Sequence, residues 1–152
     1  MEDKANPVYV VLLADADPDV HRLVAAALPE GCAFLGARTK DLALRLARKR
    51  PPSLCIVCDD MPDTTPEALV SELQALSPPM RAMVLTSSRD GAQTARLRGI
   101  GTVHSKPLEL DRLRDAITNA LRFCKMFESV AHLKSESVNV KTWSDARRDT
   151  RS

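Results

Sequence analysis

The sequence predicts an α/β domain in which a doubly wound, five-stranded parallel sheet carries helices on both faces. Short apolar segments rich in Val, Ile and Leu alternate with segments whose apolar residues recur at helical spacing. The apolar segments lack polar alternation, which is typical of parallel strands buried on both faces. The 152 residues are enough for one such domain and too few for two comfortable ones.

The first part of the chain alternates strands and helices with clear boundary signals. Asp17 or Pro18 can open the first helix, and Thr39 is a suitable cap for the second, because such residues favour helix starts. Pro51 and Pro52 then end the second helix. The predicted elements here are strand Val8–Ala14, a helix ending before Pro29, strand Cys32–Ala37, helix Lys40–Lys49 and a strand from Leu54.

The second part continues the same alternation. The sequence Thr64-Thr65-Pro66-Glu67 has helix-start chemistry, with Glu67 placed to complete a capping box. Polar residues or prolines separate the elements that follow. These are strand Ala82–Ser87, a short polar helix Gly91–Arg98, strand Thr102–His104 and a helix from Glu109 with no stop before Ser135 to Ser137.

Composition excludes several classes of protein. The net charge of +2 is too small to indicate binding to nucleic acid or to an anionic membrane, and the arginines of the second helix are interpreted as a solvated face. No apolar run approaches the roughly 20 residues of a membrane span. The first residues lack the layout of a signal peptide, and the four cysteines indicate reduced thiols. We therefore expect a cytoplasmic protein.

Polar residues follow the strands at the edge where a functional site is expected. The carboxyl ends of parallel strands meet at one edge of a sheet, where ligands bind in open α/β folds. Carboxylates can hold Mg²⁺, while a hydroxyl and an ammonium can bind phosphoryl oxygens. The residues delivered to this edge are Asp15, Cys58, Asp59, Asp60, Thr86 and Lys106.

This ordered set resembles the receiver domain of two-component response regulators, from about Val8 to about Leu121. Asp15 matches the first acidic residue after strand 1, and Thr86 matches the hydroxyl residue that closes strand 4. Met61-Pro62 and Lys106-Pro107 match the dipeptides after strands 3 and 5. The resemblance implies a flavodoxin-like strand order 2-1-3-4-5, a cis bond before Pro107, and a role in bacterial signal transduction.

The departures from the family pattern concern the phosphorylation chemistry. The phospho-accepting Asp would lie four residues before Pro62, where this chain has Cys58. The second acidic residue after strand 1 is replaced by Ala16, and the aromatic switch position is Val103. A thiol and a methyl group serve Mg²⁺ poorly, so we expect weak or no Mg²⁺ binding, with Asp15 and Asp60 as residual ligands. These features predict a pseudo-receiver that acts through protein–protein contacts without phosphorylation.

Other interpretations remain open at this point. Asp59 or Asp60 could accept the phosphoryl group from a histidine kinase if the strand end were shifted by one residue; otherwise Asp59 is solvated and Asp60 leans over the pocket. Cys58, if the nearby Lys106 lowered its pKa, could act as a thiol redox sensor. Without those roles, Lys106 is expected to pair with Asp15 or Asp60. No nucleophile–base pair or nucleotide loop indicates an enzyme.

The last helix has an apolar seam longer than one domain can cover. Its spacings of three and four residues are those of a coiled coil, which predicts a homodimer or a docked protein partner. A signalling helix toward an output domain is a further alternative. We expect a receiver-like domain over 8–121, a helical extension over 122–136 and a disordered tail over 137–152. The predicted dimer or partner residues are Leu113, Ile117, Phe123, Cys124, Phe127 and Val130.

Overall fold

A computed structural model of the chain describes residues 9–122 and 124. Contacts divide the chain after Leu121, and the sheet and the candidate site belong to the first unit. The elements are β1 (Tyr9–Ala14), α1 (Pro18–Ala27), β2 (Cys32–Ala37), α2 (Lys40–Lys49), β3 (Leu54–Cys58), α3 (Pro66–Leu76), β4 (Arg81–Thr86), α4 (Gly91–Arg98), β5 (Thr102–Ser105) and α5 (residues 110–122).

The five strands form one parallel sheet in the order β2-β1-β3-β4-β5, which confirms the predicted fold class and strand order. β3 lies in the centre, and all five of its residues are buried. Its neighbours β1 and β4 end close to the end of β3, since Ala14, the last residue of β1, pairs with Val57, and Leu85, the last but one of β4, pairs with Cys58. The residues that follow β1, β3 and β4 therefore lie side by side.

Side-chain caps begin the helices, largely where the sequence predicts them. Asp17 and Thr39 are the N-caps of α1 and α2, and Thr65 is the N-cap of α3. Each such cap is worth about 1 kcal/mol. The predicted capping box is wrong, because the cap is Thr65 and Glu67 is therefore one position too early to close it. Glu67 instead forms a 2.6 Å ion pair with Arg96 of α4.

Two strands differ slightly from their predicted bounds. β4 begins at Arg81 and ends at Thr86, one residue earlier at each end than predicted. β5 extends to Ser105, because the Lys106 amide continues the pairing by donating to the Thr86 carbonyl at 2.8 Å.

The arginines of α2 are exposed, as predicted, and their side chains have no ion-pair partner within residues 9–122 and 124. They are Arg45, Arg48 and Arg50.

The start of α5 belongs to the core of the domain. Leu113 and Ile117 are 3% and 0% exposed and join the main hydrophobic cluster, as does Leu121. Assigning Leu113 and Ile117 to a free dimer or partner seam is therefore wrong for this structure, since the apolar stripe at their helical spacing is covered by the sheet's own domain. Cys124 is buried. The other predicted seam residues, Phe123, Phe127 and Val130, lie outside the described residues.

Two glycines satisfy backbone requirements. Gly31, between α1 and β2, has φ of 85°, a conformation that other residues adopt at a steric cost. Gly101 precedes β5 so closely against β4 that a Cβ there would lie 2.2 Å from the Ala82 carbonyl oxygen. Gly101 is therefore required by the short distance between two backbones, whereas Gly31 is required by its positive φ angle.

Within residues 9–122 and 124, none of the helices has the length and apolar character needed to cross a membrane.

Candidate functional site

The carboxyl edge of the sheet brings most of the predicted site residues together in two hydrogen-bonded groups. One group joins Asp15, after β1, to Lys106, after β5. The other joins Asp59, after β3, to Thr86 at the end of β4. Cys58 ends β3 between these groups. The parallel topology thus places residues that are distant in sequence at one edge.

The first group is a partly buried ion pair. Lys106 Nζ lies 3.0 Å from Asp15 Oδ2, and the side chains are 17% and 2% exposed. Asp15 Oδ1 also accepts the Asp17 amide at 2.9 Å. Burial acts to lower the pKa of Lys106, but the hydrogen bond and the negative charge of Asp15 outweigh it, so the pKa of Lys106 is raised. Lys106 is therefore held charged by Asp15, one of its two predicted partners.

Cys58 is a buried thiol at the end of the central strand. The side chain is 1% exposed. Burial, followed by a hydrogen bond with Asp60 and the charge of Asp15, raises the pKa of Cys58 to about 12. The hypothesis that Lys106 lowers this pKa is wrong, because Lys106 is paired with Asp15 while burial and two carboxylates act against the thiolate.

The raised pKa of Cys58 predicts a loss of stability in alkaline solution. The folded chain keeps this proton to about pH 12, whereas an unperturbed thiol releases it near 9.0. Between those values the folded state binds more protons, so the free energy of unfolding falls as pH rises. Compared with a Cys58→Ser variant, the wild type should lose about 1.4 kcal/mol more between about pH 8 and about pH 10, measured by urea unfolding. Equal losses in both proteins would contradict the assignment.

Asp59 and Asp60 have different surroundings at the end of β3. Asp59 is half-buried, and its Oδ2 accepts hydrogen bonds from Thr86 Oγ1 at 2.5 Å and from Gln93 Nε2 at 2.9 Å. Asp60 is exposed. The Asp59 amide extends the β3–β4 pairing by donating to the Leu85 carbonyl at 3.0 Å, which holds Asp59 beside the end of β4. The interpretation of Asp59 as a solvated carboxylate is therefore wrong.

Three contributors to the site were missed in the sequence. Gln93 of α4 binds Asp59. Arg38 Nε donates to the Ala16 carbonyl at 3.1 Å. A ring nitrogen of His21 lies 2.7 Å from the Asp15 carbonyl oxygen. All three reach backbone atoms or a single carboxylate across the fold, and no short motif encodes such contacts.

The residues at this edge do not fit the magnesium ion that receiver domains use. Ala16 offers only a methyl group at one ligand position, and Cys58 offers a thiol whose pKa is about 12. Asp15 is paired with Lys106. In the part of the chain that the structure describes, no group of three or more His, Cys, Asp or Glu side chains is arranged to hold a metal. A hard cation prefers oxygen ligands, and at two positions of the receiver pattern this site offers a methyl group and a thiol instead.

Comparison with known proteins assigns the fold. No family model and no curated protein matches the sequence. Among solved structures, a response regulator receiver domain from Clostridium thermocellum aligns with a TM-score of 0.67 and 20% identity, covering 79% of this chain and 99% of that one. A CheY-like receiver domain from Methanospirillum hungatei gives 0.69 and 19%, covering 78% and 97%. This chain has the receiver-domain fold.

A longer protein contains a similar receiver-fold domain. NtrX from Brucella abortus, solved in complex with ADP, aligns with a TM-score of 0.72 and 25% identity. The match covers 82% of this chain and 30% of NtrX. The receiver-fold chain described here also has the cis peptide bond between Lys106 and Pro107 that the resemblance implied.

Proposed function

We propose that this receiver-fold chain is a pseudo-receiver, a protein–protein interaction module of bacterial signal transduction that works without phosphorylation. The position of the acceptor aspartate is held by Cys58, whose thiol cannot form the acyl phosphate of a carboxylate. A binding role fits this site better than an enzymatic role, because burial and the neighbouring carboxylates raise the pKa of the Cys58 thiol instead of activating it as a nucleophile. None of the four cysteines forms a disulfide within the described residues, which supports a reducing compartment such as the cytoplasm.

One observation carries the proposal: the chain's own carboxylates occupy both groups that would bind phosphoryl oxygens. Asp15 holds the Lys106 ammonium at 3.0 Å, and Asp59 holds the Thr86 hydroxyl at 2.5 Å. A phosphoryl group at this edge would have to displace two charge-assisted hydrogen bonds and would add negative charge beside Asp15, Asp59 and Asp60.

The same contacts argue against Asp59 or Asp60 as a substitute acceptor. Asp59 accepts two hydrogen bonds through Oδ2, from Thr86 and from Gln93, so its carboxylate is held towards the end of β4 and the first turn of α4. Asp60 is exposed and lies next to Cys58, which takes part in a hydrogen bond with it. Neither aspartate has Lys106 as an ion-pair partner.

The partner surface in this proposal is formed by α4, β5 and the start of α5. A cavity of about 340 Å³ opens between β5 and α5, and it has both apolar and charged walls. Its lining includes Val103, Pro107, Leu108, Glu109 and Arg112. Such a surface can take an apolar side chain of a partner at its centre and charged groups at its rim.

Exposure to acetyl phosphate tests the proposal. The 152-residue chain incubated with acetyl phosphate and Mg²⁺ should keep its intact mass, because no described carboxylate at this edge is both placed and free to accept the group. An active receiver domain treated in parallel should gain one phosphoryl group and serves as the positive control. Stoichiometric addition to this chain would overturn the proposal. Loss of that addition in Asp59→Ala or in Asp60→Ala would then identify the acceptor.

The proposal includes a homodimer formed by the helical extension after Leu121. The apolar heptad positions Phe123, Phe127 and Val130 support it, since an apolar seam in water requires a partner. A chain truncated after Leu121 should lose the dimer and have the molar mass of a monomer by light scattering. A Phe127→Asp variant keeps the length and should show the same loss. A truncated chain that is still dimeric would exclude this seam as the dimer interface.

A further inference from the structure

The β4–α4 connection is organised by a continuous chain of polar contacts that ends on Asp59. The Thr86 hydroxyl, on a residue only 1% exposed, accepts the Ser88 amide at 2.9 Å and donates to Asp59. The next residues continue the chain, since Ser88 Oγ accepts the Asp90 amide at 3.0 Å and Asp90 caps α4. Removing Asp59 would leave the buried Thr86 hydroxyl without its acceptor.

The same oxygen of Asp59 also binds the helix itself. Gln93, the third residue of α4, donates from Nε2 to Asp59 Oδ2 at 2.9 Å. One carboxylate oxygen therefore bonds to β4 and to α4 at once, from a residue that belongs to neither element. Bonds to an ionised acceptor are about twice as strong as neutral ones.

α4 has little else to hold it against the sheet. Leu97 is the one buried residue among its eight. Its other described tertiary bond is the ion pair of Arg96 with Glu67, whose side chains are 58% and 40% exposed and which is therefore worth little. A helix with a single apolar anchor can pivot about it, so a polar contact near the opposite end decides its position.

We infer that Asp59 is an internal tie that fixes the position of α4 without any added ligand. Its carboxylate holds the end of β4 and the first turn of α4 in one arrangement. Under the proposed function, this keeps the α4 part of the partner surface permanently in one state. That consequence rests on the proposed function, whereas the tie itself does not.

Amide hydrogen exchange on the full chain tests the tie. Asp59→Ala should speed exchange about tenfold in residues 87–98, with the far side of the sheet, around β2 and α2, unchanged. Gln93→Ala removes the other end of the tie from a half-exposed position and should speed exchange in the same segment. Faster exchange in this variant could not be explained by helix propensity, because alanine favours a helix more than glutamine does. Asp60→Ala, on the neighbouring exposed carboxylate, is the matched control and should leave α4 unchanged.

Other patterns of amide exchange in these variants would contradict the inference. Unchanged exchange in both variants, or an effect of Asp59→Ala without one of Gln93→Ala, would mean that the carboxylate does not hold the helix. Faster exchange spread evenly over the domain would mean a loss of global stability instead of a local tie. Because exchange is measured without a partner, the tie can fail while the proposed function stands, and the acetyl phosphate test can fail while the tie stands.

Discussion

A Lys106→Met variant should lose about 3–5 kcal/mol of folding free energy, because it leaves the Asp15 carboxylate buried without its cation. Asp15 is 2% exposed and would keep only the Asp17 amide as a hydrogen-bond donor to its side chain among the described contacts. Methionine retains the length and apolar stem of lysine, so lost packing contributes little. Urea unfolding monitored by circular dichroism measures the change.

A second substitution separates charge from packing in that result. In Asp15→Asn with Lys106→Met the buried charge is absent, and most of the lost stability should return. The single Asp15→Asn variant completes the double-mutant cycle. A Lys106→Met protein within about 1 kcal/mol of the wild type would show that the pair behaves like an exposed salt bridge and does not stabilise the site.

Restoring two carboxylates should convert the site into one that responds to Mg²⁺. An Ala16→Asp, Cys58→Asp double variant places acidic groups at the two positions where the receiver pattern has them. Without metal it should be less stable than the wild type, since both carboxylates would join Asp15 and Asp60 in a partly buried cluster. At a Mg²⁺ concentration about ten times its Kd, binding should return about 1.4 kcal/mol, seen as a rise of about 5 °C in Tm.

The wild type and a single variant are the controls for this response. The wild-type Tm should not change with Mg²⁺, and Ala16→Asp alone should respond less than the double variant. Ca²⁺ at the same concentration tests whether the response depends on ion size. A wild-type Tm that rises with Mg²⁺ as much as that of the double variant would contradict the conclusion that Ala16 and Cys58 make the site unsuitable for this metal.

The fold could be predicted from the sequence because local signals and the global topology agree. The continuous apolar runs of β1 and β3 can only be buried between two helical layers, and Asp17, Thr39 and the Thr-Thr-Pro segment mark helix starts. The misplaced cap at α3 shows the limit of this argument. Thr64 and Thr65 are chemically equivalent as caps, and the backbone of the preceding loop decides between them.

The contacts of the site could be predicted only in part. The sequence indicates which residues reach the edge, but not which side chains pair there, because pairing depends on where each loop leaves its strand. Asp59 lies one residue past β3, and its amide continues the ladder, so its carboxylate meets Thr86 instead of solvent. The pKa of Cys58 was misjudged for the same reason, since Lys106 is already paired with Asp15.

The close approach at Gly101 affects how variants of the proposed partner surface should be interpreted. This residue lies directly before β5, beside positions that a binding screen would target, yet its requirement for glycine comes from the Ala82 carbonyl oxygen on the neighbouring strand. Loss of binding in a Gly101 variant would report a displaced strand edge, not a lost contact with a partner. In a mutational study of this face, Gly101 variants therefore belong with the controls for folding and not with the tests of binding.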